Sequence, residues 1–449
     1  MKVAKFGGSS LASAEQVRKV GAIVASDPDR RLIVVSAPGK RHKSDIKVTD
    51  LLIACAERFL AAGSAEGEVR AIVERYADIA RGLGLSDAVA RTVEADLRAR
   101  LATQLPREKF IDTLKAAGED NCAKLFADYL RTLGLDAHYV SPKEAGLVLS
   151  DEFGNARVLP ESYENLRSLR GRPGVTVFPG FFGYSPKGDV VTFPRGGSDI
   201  TGSVLAAGVR ADLYENFTDV DSVFSASPSI IGKPRPIAEI TYREMRELAY
   251  AGFSVFHEEA LEPAYRAGIP VCIRNTNNPS APGTRLVVER TQSAGPVIGI
   301  ASDSGFCSIF VSKYLMNRMI GFGRRLLQIL EEEGLSYEHT PSGIDDISVI
   351  LREKHFDAAK EARVVERIRR ELAVDDVSVE RGLALVMIVG EGMRHIVGIA
   401  ARITAAFAKA GVNIEMINQG SSEVSMMFGV KAEDNHRAVR ALYEEFFPS

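Results

Sequence analysis

Val3-Ala4-Lys5-Phe6-Gly7-Gly8-Ser9-Ser10-Leu11 is the stretch on which the reading of this chain turns. A short apolar strand carrying one lysine runs into two glycines and two hydroxyl residues, and Ala12-Ser13-Ala14-Glu15 then has the layout of a helix start. Paired glycines let backbone approach a ligand closely, and N–H groups at a helix start point at it. Lys5 stands just ahead, where a mobile ammonium reaches a phosphate. A plain strand-to-helix turn with a solvated lysine also accounts for these residues, and on this stretch alone it is the favoured reading. The stretch lacks the Gly-Lys-Ser/Thr ending of a phosphate-binding P-loop and is no dinucleotide fingerprint.

Working outward, Arg31-Leu32-Ile33-Val34-Val35-Ser36-Ala37-Pro38-Gly39 is a continuous apolar run ending in small residues, as expected of a buried parallel strand delivering a loop at its C-terminal edge. A basic polar loop follows to Asp45. A long helical region from Lys47 past Leu101, broken near Gly63 and Gly82, reads as a packing layer or lid. Ala116-Ala117-Gly118-Glu119-Asp120 is expected to open a helix running to Thr132. Further strands are expected at 137–140, 175–181, 211–217 and 271–274, with a hairpin over 183–192. Strands alternating with helices give an α/β class with a mainly parallel sheet covered on both faces.

The length of 449 residues suggests about three domains as a soft prior. Apolar residues at 45%, charged residues at 26% and a net charge of -3 describe an ordinary globular chain, with no electrostatic reason to expect nucleic acid or an anionic membrane as partner. No apolar run spans a bilayer and no signal-peptide layout precedes the first strand. Cys55, Cys122, Cys272 and Cys307 are widely spaced, which points to buried thiols in a reducing, cytoplasmic setting. His257-Glu258-Glu259 lacks the second histidine of a zinc-protease helix, and no protein-ligated transition metal is expected.

Past a polar linker at 289–296 the chain changes character. Strands at 306–311, 336–340, 347–351 and 377–381 enclose helices at 322–332 and 358–372. A second βαββα unit runs from Leu383 to Phe446, at a spacing of roughly 75 residues. The second unit ends without its last strand, which Pro296-Val297-Ile298-Gly299-Ile300-Ala301 is placed to supply. The expected organisation is therefore a first domain over 1–292, a second over 303–381, and a third over 296–302 plus 382–449, the last two interlocked.

The chemistry gathers at predicted strand ends. Beside Lys5 to Ser10 stand Arg195-Gly196-Gly197-Ser198-Asp199 and Phe217-Thr218-Asp219-Val220-Asp221-Ser222-Val223-Phe224. Two glycine pairs with charged partners and an acidic loop point to a nucleotide site. Phosphoryl transfer needs positive charge and backbone donors at the phosphates, a metal ion and a held nucleophile. Lys5 and the glycine turns supply the first two, and Arg195 offers a planar fork for a carboxylate.

Lys5-Phe6-Gly7-Gly8-Ser9-Ser10, Arg195-Gly196-Gly197-Ser198-Asp199 and Thr218-Asp219-Val220-Asp221, in this order, resemble the aspartate kinases of the amino-acid-kinase superfamily, and the C-terminal repeat resembles their paired ACT regulatory domains. The resemblance implies a three-layer αβα sandwich followed by two βαββαβ ferredoxin-like domains. It implies transfer of the ATP γ-phosphate, with Mg carried by ATP rather than by protein alone, to the side-chain carboxylate of L-aspartate. Lys5, Asp199 and Arg195 take the catalytic roles. Gly7, Gly8, Ser9, Thr218, Asp219 and Phe224 join Lys5 on the ATP side; Thr49, Glu119 and Ser198 join Arg195 on the aspartate side. The chain departs from the family at Phe217, commonly Trp, at Phe224, more usually Tyr, and at Ser227-Pro228-Ser229, usually Asp-Pro-Arg. Lys233 and Arg235 are candidates to replace that missing cation.

The same resemblance implies feedback by an amino acid, lysine first, and a homodimer formed through the ACT domains. Met316, Gly321, Glu338, His339, Asp345, Asp346 and Ile347 are the candidate effector residues, with Asn413 and the stretch 419–423 as a second possibility. A polar turn reads Asp345-Asp346 equally well. The alternatives are a kinase of glutamate, acetylglutamate or carbamate, and a silent amino-acid sensor of the same fold. The Lys47-Val48-Thr49-Asp50 segment and the tandem tail weigh against the first, and the joint presence of Lys5, Glu119, Arg195 and Asp199 against the second. No second catalytic domain is visible, so a monofunctional kinase is expected.

Overall fold

The computed structural model describes residues 1–252, 258–290, 295–394, 396–420 and 424–448, without the side chains of Glu258 and Glu259. Two compact units emerge. The first is Met1–Val223 with Pro236–Tyr242 and Val255–Arg290; the second is Phe224–Arg235, Arg243–Ser254 and Thr291–Ser449. The domain expected over 1–292 thus lends two segments to the second unit. There Ile230 and Ile231 pack on the cluster around Phe407 and Phe428, and the Ser225 carbonyl accepts from Ile300 N at 2.8 Å.

In the first unit the chain runs β1 (Lys2–Phe6), α1 (Ala14–Ala25), β2 (Arg30–Val35), α2 (Val48–Ala62), α3 (Glu66–Gly82), α4 (Ala88–Leu101), α5 (Arg107–Thr132) and β3 (Ala137–Tyr139). It continues through α6 (Pro142–Ala145), α7 (Glu161–Leu166), β4 (Val175–Pro179), the hairpin β5 (Phe182–Tyr184) and β6 (Val190–Thr192), α8 (Gly197–Gly208) and β7 (Leu213–Thr218). β8 (Glu239–Thr241) follows, then α9 (Tyr242–Tyr250), which from Arg243 onward belongs to the second unit, and then α10 (Glu262–Arg266), β9 (Val271–Asn275) and β10 (Thr284–Val287) of the first. The main sheet has the order β3-β4-β2-β1-β7-β9-β10-β8, parallel throughout except where β10 meets β9.

Strand alternation decides which face each side chain serves. Ala4 and Phe6 of β1, Ile33 and Val35 of β2 and Phe217 of β7 join one core with α1 to α5. Lys5 therefore points to the opposite face, which α8 covers. There Tyr214 packs so closely on α8 that a Cβ at Gly202 would stand 2.4 Å from its hydroxyl.

α5 corrects one expectation. It begins twelve residues before Glu119, which lies inside the helix instead of at its start. Gly118 looked like a helix opening but serves close packing: a Cβ there would stand 2.8 Å from the Ala37 side chain and 3.1 Å from Leu52. All four cysteines are buried and unpaired.

The second unit is built on β11 (Gly299–Ser312), α11 (Phe322–Glu332), β12 (Asp346–Arg352), α12 (Ala358–Leu372), β13 (Asp376–Val389), α13 (Ile399–Lys409), β14 (Met416–Asn418), β15 (Ser425–Lys431) and α14 (Asn435–Phe446). The strand expected at 336–340 is reduced to bridges at His339 and Ser342. The strands expected at 377–381 and 383–389 are one continuous β13. β11 is likewise continuous: Gly299 to Ala301 pair with Val389 to Met387, and Phe306 to Ser312 lie between β12 and the first half of β13. Two apolar clusters, one around Phe407 and Phe428 and one around Leu326 and Ile368, sit on the two halves of these long strands.

Candidate active site

The parallel register sets Lys5 beside Val34 and Asn216, at the C-terminal edge of the sheet. Lys5 is 7% exposed, and its Nζ lies 2.5 Å from Asp199 Oδ1 in the first turn of α8. Asn216 Nδ2 donates to the same oxygen at 2.7 Å and to the Tyr214 hydroxyl at 3.2 Å. One carboxylate thus receives a cation from β1 and an amide from β7, which fixes the lysine while leaving ammonium hydrogens for a ligand.

Directly beyond, Gly7 N donates to the Phe217 carbonyl at 3.3 Å, and Gly39 N donates to the Gly8 carbonyl at 2.8 Å. The two loops touch backbone to backbone: a Cβ on Gly39 would stand 2.6 Å from the Gly8 carbonyl carbon. Ser10 and Thr276 hydroxyls close the far side at 2.7 Å.

A cleft of about 920 Å³ opens over these groups. It brings together Lys5, Gly7, Gly8, Ser9, Thr49, Glu119, Arg195, Ser198, Asp199 and Asp219. Arg195 is exposed and carries no ion pair among the described residues. Ser198 is seated against Gly180, where a Cβ would stand 2.7 Å from its hydroxyl oxygen. Thr218 turns its hydroxyl to Asp219 at 3.2 Å.

Glu119 is the most telling group. It is 4% exposed, and its Oε2 has no hydrogen-bond partner. Burial pushes its carboxyl up to about 8, against the opposing pull of the Ala37 amide and the Lys115 ammonium. An acid this dry on a cleft wall is matched by a cationic ligand group.

Phe224, Lys233 and Arg235 belong to the second unit. Within that unit the Arg235 N–H donates to the Tyr443 hydroxyl at 2.8 Å, and its guanidinium lies 5.9 Å from the Phe447 ring centroid. The effector candidates separate into two groups. Met316 and Gly321 lie on the loop that Asp345 caps, its Oδ1 accepting from Leu315 N at 2.8 Å. Glu338 pairs with Arg352 at 3.2 Å and with the Tyr250 hydroxyl, while His339 Nδ1 meets Asn418 Nδ2 at 3.0 Å. Of the second possibility, residues 421–423 lie outside the described residues.

Sequence reasoning missed four contributors. Lys115 lines the cleft one helical turn before Glu119; it is held by Asp112 and Thr192, each at 2.8 Å, and its spacing of four from Glu119 was the available signal. Lys40 and Lys43 line the same cleft. Asn216, inside a strand, gave no signal.

The comparisons with known proteins agree with this geometry. Residues 1–275 match the family model of the Amino acid kinase family, and residues 386–446 match that of the ACT domain. Aspartokinase 3 of Bacillus subtilis (strain 168) is 62% identical over 448 residues, covering 100% of this chain and 99% of that relative. The crystal structure of Clostridium acetobutylicum aspartate kinase matches with a TM-score of 0.91 at 38% identity, covering 99% of this chain and 100% of that one. Escherichia coli aspartokinase III, solved in complex with aspartate and ADP, matches with a TM-score of 0.74 at 26% identity, over 100% of both chains. Sequence, fold and cleft together make this chain a member of the amino acid kinase family, an aspartate kinase with a C-terminal ACT region.

Proposed function

We propose that the cleft transfers the γ-phosphoryl group of ATP to the side-chain carboxylate of L-aspartate, giving 4-phospho-L-aspartate and ADP, at the head of lysine, threonine and methionine synthesis. The observation that carries the residue assignment is the pairing of two opposite groups in one cleft: a lysine held by Asp199, which Asn216 in turn orients, and a dry carboxylate at Glu119 whose Oε2 has no hydrogen-bond partner.

In this reading Glu119 receives the substrate's α-ammonium, and Arg195 with Ser198 and Thr49 receives its carboxylates. The free side-chain carboxylate oxygen attacks the γ-phosphorus in line, the bond to the bridging oxygen breaks, and ADP leaves. Lys5 and the N–H groups of Gly8 and Ser9 meet the charge on the equatorial oxygens, while Gly7, its own N–H bonded to the Phe217 carbonyl, lets the backbone come close. Asp219 and Thr218 stand on the nucleotide side. Among the described residues no three His, Cys, Asp or Glu side chains converge on a metal position. Mg²⁺ brought by ATP would be held mainly by the phosphates and would neutralise developing charge there. Among the described residues no helix is long and apolar enough to cross a membrane.

For regulation, lysine feedback is the reading supported by a relative: lysine-sensitive aspartokinase 3 of Escherichia coli (strain K12) is 28% identical over 459 residues, 99% of each chain. A homodimer formed through the ACT domains is part of the same proposal. Glu338 and Asp345 are already engaged within the second unit, so a cationic effector competes with those partners. An ATP- and Mg²⁺-dependent hydroxamate assay with aspartate, glutamate and acetylglutamate tests the reaction: product with aspartate is expected, and none with aspartate overturns the reading. Titration with lysine, threonine and methionine tests the effector.

A further inference from the structure

The loop between β2 and α2 carries Lys40, His42, Lys43 and Lys47 to the cleft wall. These side chains are exposed, and Lys40, Lys43 and Lys47 carry no ion pair among the described residues. Like charges packed this closely repel one another and splay a loop unless something fixes it. The fixing group comes from the helical insert. Arg75 of α3 is only 5% exposed, and its guanidinium holds both ends of the loop at once. Its Nη1 donates to the Gly39 carbonyl at 3.0 Å, and its Nη2 donates to both oxygens of Asp45 at 2.8 Å and to the Ile46 carbonyl at 2.9 Å. Asp45 is shared with Arg41, whose backbone N–H and Nε donate to it at 2.8 and 3.0 Å. The loop's entry is also tied to the glycine turn, Gly39 N donating to the Gly8 carbonyl at 2.8 Å.

We infer that Arg75 is a positioning residue for phosphoryl transfer: clasping loop 39–46 at both ends, it presents Lys40, His42 and Lys43 to the triphosphate of the nucleotide. This rests on the assignment of the Gly7-Gly8 turn to phosphates, because the loop is docked on that turn. The triphosphate is the most anionic ligand of the reaction, whereas the amino acid has Glu119 and Arg195 beside it in the cleft. The insert, whose sequence suggested a packing layer, gains a chemical task through one side chain.

The test compares wild type with Arg75→Met, Arg75→Lys, Lys40→Ala/Lys43→Ala and the triple variant carrying Arg75→Met, all in the full chain. Arg75→Met is expected to raise the Michaelis constant for ATP about tenfold and to leave that for aspartate within about twofold. Added to the double alanine variant, it is expected to cost almost nothing more, because it acts through those lysines. Arg75→Lys, which keeps the charge but not the planar fork, is expected to recover only part of the loss. An unchanged ATP constant, an equal rise for aspartate, or a fully additive triple variant overturns the inference. If Arg75→Met does not fold, Arg75→Lys is read by the same criteria. Absence of aspartate phosphorylation by wild type would instead refute the reaction itself, a separate outcome.

Discussion

Replacing Glu119 by Gln changes how the unliganded enzyme's stability depends on pH, and the structure sets the size. In the folded chain the buried carboxyl binds its proton up to about pH 8, against an ordinary value of 4.5. Between those two values the folded state holds more protons than the unfolded one, so stability falls as pH rises. The slope approaches roughly 1.4 kcal/mol per pH unit. Accumulated from 4.5 to 8 it reaches a ceiling of about 5 kcal/mol, lowered by whatever relaxation and water entry the cleft allows. Gln keeps the shape and loses the titration. Urea unfolding of both proteins at pH 5.5, 6.5 and 7.5, without ligands, is the assay. The stability of wild type relative to Glu119→Gln should drop steadily across the series, by about 1 kcal/mol per step. Parallel stability curves for the two proteins would refute the reasoning, since Glu119 would then be ionised at an ordinary pH. Under the proposed assignment the same group gives a binding readout, because an arriving ammonium would ionise Glu119 and release its proton.

Lys5→Met removes the cation that Asp199 holds, and turnover should fall by about 10²- to 10³-fold with the thermal midpoint little changed; near-normal turnover by a folded variant would remove Lys5 from the mechanism. Gly39→Ala forces a Cβ to 2.6 Å from the Gly8 carbonyl carbon, and should cost about 1–3 kcal/mol and most of the activity. Denaturation midpoints and initial rates equal to wild type would show that the two loops need not touch. Glu215→Gln strands two cations: Glu215 is 1% exposed and pairs with Arg30 at 2.6 Å and Arg274 at 2.9 Å. Burial alone would raise its carboxyl, and the two guanidinium groups hold it below the ordinary value. Loss of about 3–5 kcal/mol in urea unfolding is expected, and a loss under about 1 kcal/mol would mean that the triad is solvated.

The local motifs were legible because their geometry is local. A strand of alternating side chains followed by paired glycines can deliver Lys5 to only one edge, and the same holds for Asp199 at the head of α8. Glu119 was legible as a cleft residue but misplaced in its helix, because the stretch around Gly118 was read as a helix start, whereas Gly118 lets α5 approach Ala37 and Leu52. Arg75, Asn216 and Lys115 act through partners far away in sequence, and no pattern around them names those partners. The candidate effector residues illustrate the same limit. Asp345 accepts from Leu315 N beside Met316, and Glu338 and His339 are claimed by Arg352, Tyr250 and Asn418, contacts that only the tertiary arrangement reveals.

The continuous β11 and β13 have a consequence for how the second unit is made. Gly299 emerges from the ribosome 90 residues before its ladder partner Val389. At about 5–20 residues per second, the first strand waits roughly 5–18 s with an unpaired edge. Phe306 to Ser312 pair sooner with β12, but the other half of the same strand remains open until β13 is complete. Neither half of the repeat can finish alone, so cutting the gene between them should yield fragments with bare, adhesive edges that reassociate or precipitate.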